Sequence, residues 1–211
     1  MKDLSEGPIG LIPYRSANPF EFTHILRDLP ACEEQGLFGW LLWPERATRP
    51  VPAIVACHGS LGWRGHHHEH MVRALEMGIA VFRVHSFDAR QVQSVVEDQM
   101  SVTAAMLLTD AYRALELLTT HPAIDAGRIG VTGWSLGGTV ALYAGYEPLR
   151  EALVGAEGPR FAAHLPIYPA AHVTPALPRW TPSPIRVLHG EADDYTPLRF
   201  VAGLMPVVEA G

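Results

Sequence analysis

Ser135 is the residue of this chain most plainly set up for chemistry. It stands in Gly133-Trp134-Ser135-Leu136-Gly137, a G-x-S-x-G pattern, with Gly138 next. The apolar run IGVT precedes it and the helix-like TVALYAGY follows. A serine in so tight a strand-to-helix turn has its hydroxyl pushed out above the sheet, and side chains at the flanking glycines would crowd the neighbouring elements. The N–H of Leu136, at the helix start, then points toward an oxyanion formed on an attacked carbonyl. The alternative is a structural turn with no chemistry. The stretch lacks the lysine of a phosphate loop, and the glycines of HGSLGWRG are spaced wrongly for a dinucleotide fingerprint. A serine hydroxyl is a weak nucleophile until a base takes its proton. The chain has 11 histidines. Residues 66–70 read HHHEH, and on a helix His66 and His70 share one face at the spacing that can bind zinc. The H-E-x-x-H order is absent, so the expectation is no metal and a polar helix N-terminus near the rim of the site.

The elements needed to position Ser135 are legible in the hydrophobic pattern. With 211 residues, about half of them hydrophobic, the chain is long enough for one domain, residues 1–211, with a sizeable core. Its net charge of −6 offers no basic surface for a phosphate backbone, so nucleic acid is an unexpected partner. No apolar run of 18 residues or signal-type segment is visible, which argues against a membrane partner and makes a cytoplasmic location the default. Two cysteines define no disulfide framework. Cys57 reads as a buried small hydrophobe and Cys32 as a loop residue.

Residues 20–29 show mixed alternation. Residues 37–43 form an apolar, aromatic strand candidate, with EQG before it as a turn in a hairpin-like start, and TRPVP marks a break. Strand candidates follow at residues 53–57, 79–84, 129–132 and 185–188, with a further apolar run at 161–167. Helical periodicity covers the segment ending at Gly78, residues 101–120, 136–146 and 198–208. Residues 85–91 leave the sheet, residues 121–128 form a turn, and residues 148–160 read as a connection. Strands alternating with helices predict an α/β architecture, a mainly parallel sheet with helices on both faces. Ligands of such sheets gather beyond the carboxyl ends of the strands. That rule brings residues 58–61, 134–136 and 190–197 together. Trp63 and Trp134 either line a pocket there or pack in the core.

AIVACHGSLG, HPAIDAGRIGVTGWSLGGTVAL and VLHGEADDYTP together resemble the α/β-hydrolase superfamily, and within it the dienelactone hydrolase family and its relatives, from about residue 37 onward. The resemblance implies the α/β-hydrolase fold and a serine hydrolase cleaving a small ester, lactone or related carboxylic acyl substrate through an acyl-enzyme, with no cofactor. Dienelactone hydrolases proper carry cysteine where this chain has Ser135, which points to an esterase-like or peptidase-like relative. By the same resemblance Asp193 matches the acid, with Asp194 the neighbouring alternative; the plainer reading of ADDYTP is an ordinary acidic turn. The HGSL loop matches the segment supplying the second oxyanion donor, the N–H of Ser60, with Leu61 as alternative. His58 is expected to be structural in that loop.

In the family the histidine comes last, after the acid. Here 14 residues follow Pro197, none of them histidine. The last strand, the histidine loop and the closing helix of the family pattern find no counterpart. Three explanations stand: the sequence is a piece of a longer hydrolase, another histidine serves, or the protein is a non-catalytic relative that binds a ligand or partner. His172, in the proline-rich loop after the run at 161–167, is the first candidate for a substitute base, followed by His85. His189 and His164 read as packing residues. A missing strand would leave a sheet edge and an apolar face open, predicting lower stability or a homodimer.

Overall fold

The computed structural model describes residues 3–45 and 50–210. The start of the TRPVP break, residues 48–49, lies outside them. Six strands form one sheet in the order β1 (Gly10–Ala17), β2 (Glu34–Leu42), β4 (Ala80–Val84), β3 (Val51–Cys57), β5 (Ile124–Trp134), β6 (His164–Ile167). The β1–β2 and β2–β4 pairs are antiparallel, and β4–β3, β3–β5 and β5–β6 are parallel. The mainly parallel α/β arrangement is the one the sequence implies.

Alternation along β3 separates the two faces. Val55 joins the large core with Phe82, Leu108, Tyr112 and Leu142, whereas Ala56 packs with Met71, Ala74 and Val81. The first face is covered by α3 (Ala104–Leu118) and α4 (Leu136–Tyr143). α3 is buried almost all round, and its Thr103 cap accepts the N–H of Met106 at 3.4 Å. The second face carries α2 (Gly65–Glu76), which ends against Gly78 at φ +78. α2 leaves an apolar groove of about 480 Å³ beside it, floored by Ile54, Thr132 and Leu165 and flanked by Met71 and Met77.

Several local expectations are corrected. EQG is part of β2, paired with β1, and the link between those strands is α1 (Phe22–Asp28) and a short 3₁₀ turn. Only Ile25 of α1 is buried, so the mixed pattern of residues 20–29 reflects a narrow apolar stripe. The connection at 148–160 contains α5 (Glu147–Val154), with Pro148 in its first turn. Glu147 and Arg150 are buried in it because Arg150 pairs with Glu147 at 2.7 Å and donates to the carbonyls of Gly155, Ala156 and Gly158. Residues 121–128 are partly strand, since β5 begins at Ile124. Residues 185–188 run parallel to β6 without forming a regular strand: Arg186 and Leu188 donate to His164 and Pro166, but Pro166 has no N–H to return. The last helix, α6 (Leu198–Glu209), sends Val201 and Leu204 into the main core.

The excursion after β4 is tied down by a buried ion pair. Arg90 contacts both carboxylate oxygens of Asp110 at 2.7 and 3.1 Å, and Ser16 donates to the same carboxylate at 2.6 Å. This links the excursion to β1 and α3.

Candidate active site

β5 ends at Trp134 and α4 begins at Leu136, leaving Ser135 alone between them with φ 53 and ψ −113. A non-glycine residue there is strained, and it persists because its surroundings overdetermine it. Its N–H donates to Ile167 O at 3.0 Å and its carbonyl accepts from Thr139 N at 2.8 Å. A Cβ on Gly133 would collide with the carbonyl of Gly137, and one on Gly137 with the carbonyl of Cys57. The glycines therefore allow the turn to approach β3 at backbone distance. As the first residue of α4, Leu136 has an N–H with no preceding helical carbonyl to bond.

Ser60 reaches the same place from the other side. Its carbonyl accepts from Val95 N at 2.9 Å, which fixes the loop after β3, and the Gly59 backbone passes close to Trp134 O. Ser60, Ser135, Leu136 and His172 all line one cavity of about 440 Å³, together with Phe22 and Tyr143. His58 is buried, and its Nδ1 contacts Gly59 O at 2.9 Å. Burial lowers its pKa to about 4, so it is neutral and structural, as expected.

The acid turn is different. Asp193 accepts from the N–H groups of Thr196 and Tyr195 at 2.8 and 3.0 Å and from the Thr196 hydroxyl at 2.8 Å. Those bonds, the Thr196 N–H first, hold its carboxyl below the ordinary aspartate range. Thr196 and Tyr195 line the cavity. Among the described residues, no hydrogen bond joins a histidine to Asp193 or to Ser135.

His172 is the one histidine in the cavity wall among the described residues, with its ring edge-on to Phe200 at 4.6 Å. His85 is directed away: it stacks on Phe38 and pairs with Asp88. His164 bonds Ala141 O at 2.9 Å and is core, whereas His189 is a partly exposed residue bonded to Gly190 O at 3.1 Å. Trp134 is buried against His67 and His70 on the α2 face, and Trp63 sits beside it, so neither lines the serine cavity. No group of three or more metal-ligating side chains is found among the described residues. Nor, among them, is any helix long and apolar enough to cross a membrane.

Sequence reasoning missed two side chains of α4 that shape this cavity. Tyr143 donates to Val173 O at 2.6 Å and accepts from Val173 N at 3.1 Å; Thr139 accepts from Ala170 N at 3.0 Å. One helical turn apart, they staple the His172 loop along the helix that follows the nucleophile. Their spacing, four and eight residues after the serine, was the available signal.

A strained serine between strand and helix, on a mainly parallel sheet with a second loop facing it, defines an α/β-hydrolase. The dienelactone hydrolase family model matches residues 38–208, and the chain belongs to that family. With serine at the elbow it is a serine hydrolase of the ester and lactone class. Among solved structures it is similar to a protein described as a dienelactone hydrolase from Klebsiella pneumoniae, with a TM-score of 0.64 and 17% identity over 95% of this chain and 81% of that one. It is also similar to the thermophilic esterase Est2 of Thermogutta terrifontis, with a TM-score of 0.62 and 16% identity over 82% and 72%. The same esterase with butyrate bound gives 0.63 and 16% over 82% and 74%. At these identities the shared property is the fold. No match is found among curated proteins.

Proposed function

We propose that this protein hydrolyses a small carboxylic ester or lactone through an acyl-enzyme on Ser135. The carrying observation is the Ser135 backbone, held at φ 53 where only a tightly constrained turn keeps a serine. The Ser135 hydroxyl attacks the carbonyl carbon, and the N–H groups of Leu136 and Ser60 receive the oxyanion. The alcohol leaves with a proton, and water then attacks the acyl-enzyme. We assign the proton transfer to His172; its sharing the cavity with Ser135 supports this reading, and catalytic contacts often tighten only with substrate bound. Asp193 is assigned the orienting carboxylate. Butyrate in the Thermogutta esterase supports a short acyl group. The unit is one domain over residues 1–211, and we place it in the cytoplasm, with a homodimer as its assembly.

Hydrolysis of p-nitrophenyl butyrate and labelling by a fluorophosphonate test this. Ser135→Ala is expected to remove labelling and to lower turnover by about a thousandfold or more. Folded wild-type protein that neither hydrolyses the ester nor labels overturns the enzymatic reading. Full turnover in His172→Gln moves the base elsewhere.

A further inference from the structure

Behind the Ser60 loop lies a second polar cavity, of about 300 Å³, that the proposed reaction does not use. It shares no lining residue with the serine cavity: Ser60 lines that one, and Leu61 and Gly62 of the same loop line this one. Two arginines open into it, Arg83 from β4 and Arg64 from the residue before α2. Arg83 is half-buried. Its guanidinium lies 4.8 Å from the Trp63 ring centre, and its Nε is sealed from solvent with no hydrogen-bond partner. Among the described residues neither arginine forms an ion pair.

A partly desolvated guanidinium without a carboxylate is costly, and stacking on an indole offsets only part of that cost. Elsewhere this chain pairs its buried arginines fully, as with Arg90 on Asp110 and Arg150 on Glu147. The cavity contains one carboxylate, Asp88, which is engaged by His85. His58, in the wall, is neutral and adds no charge. Two guanidinium groups against one carboxylate leave a net positive cavity of the size of a small oxyanion with its water. Planar guanidinium forks fit carboxylate and phosphate oxygens in pairs.

We propose that this cavity is an anion site, in which Arg83 and Arg64 bind the carboxylate or phosphate group of a small molecule distinct from the acyl substrate. Binding there would brace the loop that carries Ser60 into the serine cavity.

The test is thermal unfolding of the whole chain with sodium phosphate or sodium acetate, against sodium chloride at matched ionic strength. At ten times its Kd, the bound anion is expected to raise the Tm by about 3–5 °C. A shift with phosphate alone identifies a phosphate site, and one with acetate alone a carboxylate site. Arg83→Met, which keeps the stem on Trp63, is expected to abolish the shift. Arg64→Gln, at the exposed N-cap of α2, is expected to weaken binding about tenfold. Asp88→Asn, removing the opposing charge, tightens it. Arg15→Gln, a surface arginine far from the cavity, leaves it unchanged. No shift beyond that of chloride, or equal shifts in the wild type, Arg83→Met and Arg64→Gln, overturns the proposal. Because the readout is stability, it stands or falls independently of esterase activity.

Discussion

Ser135 and Asp193 both lie beyond the carboxyl ends of parallel segments, yet the chain holds them by different means. Ser135 is fixed by backbone: its N–H and C=O are bonded to Ile167 and Thr139, and its neighbouring glycines touch the carbonyls of β3 and α4. Asp193 is fixed by its own side chain, which closes an exposed turn on Tyr195 and Thr196. The first arrangement stores strain that the core must hold. The second is local and would form in an ordinary surface turn. Ser135 therefore bears the mark of a functional constraint in its conformation, whereas Asp193 bears none.

Glycine-to-alanine substitutions measure that difference most strongly. At Gly137 a methyl group meets the backbone of Cys57 and His58, which cannot move without shifting β3. Gly137→Ala is expected to cost about 3 kcal/mol or more in chemical denaturation, at the upper end of overpacking effects. At Gly190, beside the acid turn, the nearest atom to the new methyl is Asp193 Cβ at 3.9 Å. Gly190→Ala is expected to change stability by less than about 0.5 kcal/mol. Similar costs at both positions would remove the contrast.

Acidification probes the same contrast through His164, which lies against α4, the helix that follows Ser135. Burial lowers its pKa to about 4, while the unfolded chain keeps the ordinary value near 6.5. Between those values the unfolded state binds more protons, so stability is fully present above about pH 6.5 and falls as pH drops toward 4. The slope from this one group approaches about 1.4 kcal/mol per pH unit. His164→Asn keeps a donor toward Ala141 O and removes the titration. Urea unfolding between pH 6.5 and 4.5 should therefore show a shallower decline in the variant. An unchanged slope would mean that His164 titrates in the fold as it does in the unfolded chain.

The elbow was legible because its demands fall on consecutive residues: a serine, glycines at fixed offsets, a strand before and a helix after. The sheet was legible for the same reason, through period-two and helical patterns. What escaped depended on partners distant in sequence. α1 buries only Ile25, and α5 is charged because Arg150 finds carbonyls in the next loop. The Arg90–Asp110 pair spans 20 residues, and Ser16 joins it from 94 residues away. Trp63 and Trp134 follow strand ends, as a pocket would require, but the pleat sends Trp134 to the α2 face. Charge and side-chain direction, unlike periodicity, are decided only when the layers meet.

Tyr143 gives the smallest effect and the finest discrimination. Its hydroxyl is the clamp on Val173, and burial raises its pKa to about 12, so it stays protonated at working pH. Tyr143→Phe removes that clamp and leaves the ring in the core. Because Val173 is exposed, water can replace the lost bonds, and the expected cost is about 1 kcal/mol. The effect on catalysis should be larger than stability alone suggests, because the freed segment carries His172 and one wall of the cavity. Turnover of short esters is expected to fall severalfold, with Ser135 still labelled by a fluorophosphonate, since the elbow does not depend on that loop. Equal losses of labelling and turnover would show that the two halves of the site are mechanically one.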